Sequence, residues 1–211
     1  MTSLLIAFPK GRLGDELVPR LAGTPLALDA AALKSRVLRI PTATPGVAAL
    51  LLKGGDLPRY VAAGVASLGI VGSDTLDELD MDLLELADLG FGACRLSLCA
   101  PEGVTLEALQ ARPHLRLATK FPRATEAWLA REGLTAELVP LSSSVELAPL
   151  LGLADAIVDL VQTGSTLRAH GLRETALLGR SSARLVAARG AALSEPGSIM
   201  PLAEILVRAL A

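Results

Sequence analysis

Aromatic residues are almost missing from this sequence. Three Phe, one Trp and one Tyr make up 2% of its 211 residues, too few for the row of exposed rings on which single-stranded nucleic acid stacks. Charge of one sign is lacking as well. Twenty basic and 22 acidic residues leave a formal net charge of −2, which supplies no field for gathering nucleic acid or an anionic membrane. Cys94 and Cys99 are the only cysteines, and their odd separation puts them on opposite faces of a strand, so free thiols are expected. His114 and His170 lie far from the cysteines and from each other, without the spacing of a structural zinc site. Long apolar runs are absent too: the longest uncharged stretches, residues 40–52 and 60–73, carry Pro or Gly and fall short of the ~18–20 residues that span a bilayer. The start, Met1-Thr2-Ser3 followed by the short apolar run 4–8, lacks the features of a secretion signal. A cytoplasmic protein with neither a membrane nor a nucleic-acid partner is expected.

What is present is aliphatic. Apolar residues make up 51% of the chain, and a chain of this length buries about 70% of its unfolded surface, as one large domain or two small ones. Short β-like runs (4–8, 37–40, 68–71, 96–99, 115–118, Glu137–Pro140, Ala156–Val161 and 185–188) alternate with helical stretches. Some of the helices have readable ends. Thr44 caps one that opens on Pro45 and closes at Gly54; Pro122 opens another that Gly133 stops; the last, about 197–210, carries Ile199, Leu202, Ile205, Leu206 and Leu210 on one face. Such alternation predicts an α/β fold with mainly parallel sheets. The strands suffice for one wide sheet or two smaller ones. Gly90-Phe91-Gly92 and the region around 171–179 are the punctuated places where the chain could cross between lobes. The expected layout is a discontinuous first lobe, 1–90 plus 177–211, and an inserted second lobe, 91–176, with the ligand cleft between them.

The chemistry concentrates after strands. In residues 156–167 an apolar strand runs into Thr163-Gly164-Ser165-Thr166, and a helix begins at once. Loop amides, hydroxyls and a glycine that lets the backbone close in form a phosphate cradle that needs no lysine. Asp159, inside the strand, is placed to accept hydrogen bonds from sugar hydroxyls; an ordinary capped helix with a strand-end Asp is the alternative. Lys10 and Arg12 follow the first strand, where α/β sheets bind ligands, and read as phosphate ligands or as solvated loop charges. Ser143-Ser144-Val145-Glu146 has the form of a capping box, and Asp74 that of a helix-start carboxylate. Trp128 and Met81 read as core residues.

The loop resembles the one by which phosphoribosyltransferases hold the 5-phosphate of phosphoribosyl pyrophosphate, although Asp159 is followed by Leu160 rather than by a second acid. Further motifs appear in order: Pro9-Lys10-Gly11-Arg12-Leu13, Ser35-Arg36, Gly69-Ile70-Val71-Gly72-Ser73-Asp74, Cys94-Arg95-Leu96, Ala118-Thr119-Lys120-Phe121-Pro122 and the stretch 144–155. Together they resemble the short-form catalytic subunit of the ATP phosphoribosyltransferase family, over about residues 4–210.

That resemblance implies two α/β lobes like those of the type II periplasmic binding proteins, and transfer of phosphoribosyl to N-1 of ATP with release of pyrophosphate, the first step of histidine biosynthesis. It implies Mg²⁺ arriving with the substrates and a regulatory subunit related to histidyl-tRNA synthetase, in a hetero-octamer. Lys10, Arg12, Arg36 and Lys53 would serve catalysis through the phosphates; Lys53 stands where the family more often carries Arg, with Arg59 as an alternative. Glu146 and Asp159 would meet the ribose hydroxyls or their Mg²⁺, Thr163, Gly164, Ser165 and Thr166 the 5-phosphate, and Gly72 and Asp74 the nucleotide; Asp155 would orient the loop or touch the ribose, a structural role being the equal alternative. A solute receptor or a transcriptional sensor can share such a fold, but the first needs an export signal and the second a DNA-binding helix pair, neither of which is read here.

Overall fold

The computed structural model describes residues 4–194 and 196–210. The chain divides into two compact units, one built from the chain up to Ala93 and from Ser182 onward, the other from Cys94 to Ser181.

In the first unit the order is β1 (Leu4–Pro9), α1 (Arg12–Arg20), α2 (Ala30–Leu33), β2 (Arg39–Pro41), β3 (Val47–Leu52), α3 (Leu57–Ala62), β4 (Leu68–Gly72), α4 (Ser73–Leu79) and β5 (Leu83–Asp88). The second unit follows with β6 (Cys94–Pro101), α5 (Leu106–Gln110), β7 (Arg116–Thr119), α6 (Pro122–Glu132), β8 (Glu137–Pro140), α7 (Leu147–Leu150), β9 (Ala156–Val161), α8 (Ser165–Ala169) and β10 (Leu172–Ser181). The chain then returns to the first unit as β11 (Ala183–Ala188), α9 (Arg189–Ser194) and α10 (Pro196–Leu210).

Each unit is built on one sheet, ordered β2-β3-β1-β4-β11-β5 in the first and β10-β6-β9-β7-β8 in the second. Both are mixed rather than mainly parallel. Only β3-β1-β4 and β9-β7-β8 run parallel, and the remaining neighbours are antiparallel. For β2 and β3 the cause lies in the connection: parallel neighbours need a crossover of a dozen or so residues, whereas β2 reaches β3 through a short turn.

Local chemistry explains most elements. Pro122 opens α6, and Gly133 closes it in the left-handed region at φ 67. On α10, Ile199, Leu202, Leu206 and Leu210 are buried among Ile6, Phe8, Ile70 and Leu185 of the first sheet. Gly14 lets α1 lie against the end of β1, because a Cβ there would overlap the Pro9 carbonyl oxygen. Trp128 is core, and both cysteines are buried and outside any disulfide.

Three expectations are corrected. Residues 45–54 are not a helix: Thr44 and Gly46 (φ 80) make a turn, and β3 follows as a strand held between β1 and β2. An apolar run after a Pro suits either structure until its neighbours decide. The expected crossing at 176/177 falls inside β10, which continues to Ser181, and the earlier crossing lies at 93/94 rather than 90/91. β5 and β10 are strands that the apolar pattern did not announce: β5 and β10 lie at sheet edges, and two register shifts interrupt β10.

Candidate active site

In open α/β sheets ligands gather at the carboxyl ends of parallel strands. In the first unit those ends belong to β1, β3 and β4. Lys10 follows β1, and its backbone N–H donates to the Leu52 carbonyl at 2.7 Å, so it stands beside Lys53, the residue after β3. Both lysine side chains are exposed and have no ion pair among the described residues. Gly72 ends β4 and caps α4, with Asp74 in the first turn. A Cβ on Gly72 would overlap the Asp74 carboxylate, so glycine is needed for that carboxylate to fold back over the helix start.

Arg12 opens α1 and is already engaged: its Nη1 donates to Glu16 Oε1 at 3.2 Å and to the Gly92 carbonyl at 3.3 Å, while Gly92 N–H donates to Glu16 Oε2 at 3.2 Å. Its guanidinium is still half exposed. Arg36 lies in the bend between α2 and β2, ahead of the strand rather than at its start, and is exposed. Arg59 sits on α3 with an exposed side chain.

In the second unit the parallel ends belong to β7, β8 and β9. Lys120 follows β7, Glu146 comes soon after β8, and Thr163, Gly164, Ser165 and Thr166 follow β9. Gly164 caps α8 in the left-handed region at φ 71. The hydroxyls of Thr163 and Ser165 lie 3.1 Å apart, and Arg168 Nη1 donates to the Thr163 carbonyl at 3.1 Å, closing the loop. α8 spans only 5 residues, so the loop's amides and hydroxyls, rather than a helix dipole, are what it offers an anion.

Asp159 lies on β9 opposite Ser97 of β6. Burial pushes its carboxyl above the ordinary range; the Leu160 N–H, which donates at 2.8 Å, and Lys120 pull it back, and Glu146 pushes it further up. Glu146 thus faces Asp159 electrostatically. The capping box does not form: Ser144 takes a left-handed conformation (φ 52), and Glu146 itself becomes the cap of α7, with no side-chain cap bond. Its carboxylate is left for other work.

Asp155 is not brought to this group. It precedes β9, one six-residue strand away from the loop, or about 20 Å at the usual rise. There it accepts from Arg112 Nη1 at 2.6 Å and from the Arg116 backbone N–H at 2.8 Å. That is a structural tie between β7 and β9, which favours the structural reading of Asp155 over the ribose contact. Lys120 is the residue to which the sequence reading gave no role, although the rule applied to Lys10 would have found it at the end of the 115–118 run.

Each unit by itself therefore offers groups at its parallel strand ends: the first, lysines after β1 and β3; the second, a lysine after β7, the Asp159 carboxyl on β9 and a hydroxyl-rich loop. Comparison with known proteins says what such a set serves. The ATP phosphoribosyltransferase family profile matches residues 53–208. The chain belongs to the ATP phosphoribosyltransferase family. That family catalyses the first step of histidine biosynthesis by pentosyl transfer. An ATP phosphoribosyltransferase of Deinococcus deserti is 48% identical over 205 residues, covering 96% of this chain and 91% of the relative. The solved ATP phosphoribosyltransferase (HisG:HisZ) complex from Thermotoga maritima superposes with a TM-score of 0.83 at 26% identity, over 98% of each chain. The alkanesulfonate-binding protein SsuA from Xanthomonas axonopodis shares the fold, with a TM-score of 0.60 at 17% identity over 99% of this chain and 73% of that one. Among the described residues no helix is long and apolar enough to cross a membrane.

Proposed function

We propose that this chain transfers the phosphoribosyl group of phosphoribosyl pyrophosphate to N-1 of ATP. The bond from the anomeric carbon to pyrophosphate breaks, the bond to N-1 forms with inversion, and pyrophosphate leaves. The observation that carries this reading is the β9–loop–α8 segment, in which Asp159 precedes Thr163-Gly164-Ser165-Thr166 and Gly164 is held left-handed, in a chain of this family.

Adenine N-1 carries its own lone pair, so the reaction needs placement and stabilisation of the leaving group more than a general base. The loop 163–166 holds the 5-phosphate through hydroxyls and amides. Glu146 and Asp159 receive the ribose hydroxyls. Lys10 and Lys53 draw the negative charge that develops on pyrophosphate, and Arg12 and Arg36 add theirs. Lys53 acts as a point charge without the bidentate fork of an Arg. Gly72 and Asp74 lie against the nucleotide.

Mg²⁺ fits this set as an ion borne by the substrate. Among the described residues no three His, Cys, Asp or Glu side chains could hold a metal together, while the Glu146 carboxylate is near enough to push the Asp159 carboxyl up. One or two carboxylates plus phosphate oxygens and waters are the usual magnesium shell. When bound, the ion neutralises phosphate charge. The partner is a regulatory subunit related to histidyl-tRNA synthetase, in a hetero-octamer of short-form type, and the assembly is cytoplasmic. The Thermotoga maritima protein, itself solved as a two-component complex, supports this.

The test mixes the protein with ATP, phosphoribosyl pyrophosphate and Mg²⁺, with and without the regulatory subunit, and follows N-1-phosphoribosyl-ATP and pyrophosphate. No product under either condition sinks the reading. For the loop, Thr166→Ala and Gly164→Val are expected to weaken phosphoribosyl pyrophosphate binding far more than ATP binding in calorimetry; equal losses count against the cradle.

A further inference from the structure

The sheet face that carries Asp159 also carries an ion pair that the roles above leave unused. On β6, Ser97 stands opposite Asp159 and Arg95 opposite Val161, the last residue of β9 before the loop. Glu174 of β10, opposite Cys99 in the ladder, reaches back along the sheet. It accepts from Arg95 Nε at 2.9 Å and Nη2 at 2.7 Å, and from Ser97 Oγ at 2.8 Å. Arg95, Ser97 and Cys99 alternate onto one face of β6, and their ladder partners Asp159 and Glu174 share it; the Cys99 thiol there is pushed up to about 12, chiefly by burial. The other face of β6 is apolar: Leu96, Leu98 and Ala100 lie in a hydrophobic cluster.

The pair is a third exposed on each side, at 34% and 33%. An ion pair open to water contributes little to stability, so packing alone does not account for a three-membered polar network in this place. Its geometry does something else. Two of the five guanidinium N–H groups are spent on the Glu174 fork, which fixes the plane of the group; three remain as donors. Because Glu174 neutralises the charge, those donors add no net cation near a ring carbon that turns positive in the transition state.

We propose that Arg95 is a further ligand of phosphoribosyl pyrophosphate, donating to a phosphoryl oxygen beside the loop 163–166, and that Glu174, supported by Ser97, is the positioning residue that sets its guanidinium. The proposal rests on the reading that this loop holds the phosphoribosyl donor. Lysine at position 95 would keep a charge but not the fork.

The test is calorimetric titration of phosphoribosyl pyrophosphate with Mg²⁺, and separately of ATP, into the wild type, Arg95→Lys, Glu174→Gln and the double variant. Each single variant is expected to bind phosphoribosyl pyrophosphate about tenfold more weakly, the loss of one charge-assisted hydrogen bond, with ATP binding unchanged. The double variant is expected to bind no more weakly than Arg95→Lys, because the two act as one unit. Should Glu174→Gln fail to fold, Ser97→Ala takes its place, with a loss of about threefold expected for a neutral contact acting through Glu174. A Glu174→Gln protein that melts earlier yet binds phosphoribosyl pyrophosphate like the wild type overturns the proposal, as does an equal loss for ATP. A wild type that does not bind phosphoribosyl pyrophosphate overturns the loop reading as well, so the two failures are told apart.

Discussion

Replacing Asp155 separates a structural tie from a substrate contact. Its carboxylate accepts from Arg112 at 2.6 Å and from the Arg116 backbone N–H at 2.8 Å, and its side chain is 12% exposed against 45% for Arg112. The ion pair, discounted for the exposure of Arg112, contributes at most about 1 kcal/mol. Leaving the Arg116 N–H without its acceptor costs about 1–3 kcal/mol. Asp155→Ala is therefore expected to lose about 2–3 kcal/mol in all, which for a chain of this size lowers Tm by about 5–10 °C. Asp155→Asn keeps a carbonyl oxygen for the Arg116 N–H and gives up only the ion pair, so it is expected to lose about 1 kcal/mol or less. Thermal unfolding of the two variants, with calorimetric binding of phosphoribosyl pyrophosphate, reads both effects. The expected result is a graded loss of Tm with unchanged affinity. An Asp155→Asn protein that melts with the wild type but binds phosphoribosyl pyrophosphate tenfold more weakly refutes the reasoning and restores Asp155 to the ligand set.

Two further outcomes are expected. Burial raises the folded pKa of Asp159 above its unfolded value, so the folded state holds that proton more tightly, and stability falls as pH rises from the ordinary carboxylate range through the raised value. Asp159→Asn is thus expected to raise Tm at pH 7 but not at pH 3, while weakening phosphoribosyl pyrophosphate binding; a Tm difference that does not change with pH contradicts the assignment. Gly14→Ala sets a helix-propensity gain of about 1 kcal/mol against a Cβ driven into the Pro9 carbonyl oxygen. That oxygen is backbone and cannot swing aside, so a net loss of about 2 kcal/mol or more is expected in urea unfolding, and a stabilised variant shows that α1 does not pack as described.

The legible parts of the fold are those where a local pattern and its tertiary setting demand the same structure. β8 and β9 match the expected runs, residues 137–140 and 156–161, end to end. α6 is bracketed by Pro122 and Gly133. The stretch after Thr44 is ambiguous because Pro45-Gly46 ahead of six apolar residues suits the first turn of a helix as well as a buried strand; only pairing with β1 and β2 decides it. β10 was missed because its polar residues alternate irregularly across two register shifts. The Glu174 network that it carries was invisible for the same reason, since no spacing in the chain connects residue 174 to residues 95 and 97.

The candidate site shows where sequence neighbourhood helps and where it misleads. Lys10 and the loop 163–166 are legible as strand-end groups, since parallel strands bring their carboxyl ends to one edge of a sheet; Lys53 enters only through the family resemblance, because the pattern of 45–54 reads as a helix and not as the strand β3 that it follows. Asp155 and Asp159 lie only four positions apart. A strand advances about 3.3 Å per residue, so the same β9 that carries Asp159 toward the loop leaves Asp155 at the opposite edge, with Arg112 for a partner. Glu146 moved in the other direction: the capping box would have occupied its carboxylate, but the left-handed turn at Ser144 makes Glu146 the cap residue itself and leaves the side chain uncommitted. The strand's length thus sets Asp155 apart from the loop, and a single positive φ leaves the Glu146 carboxylate outside the cap.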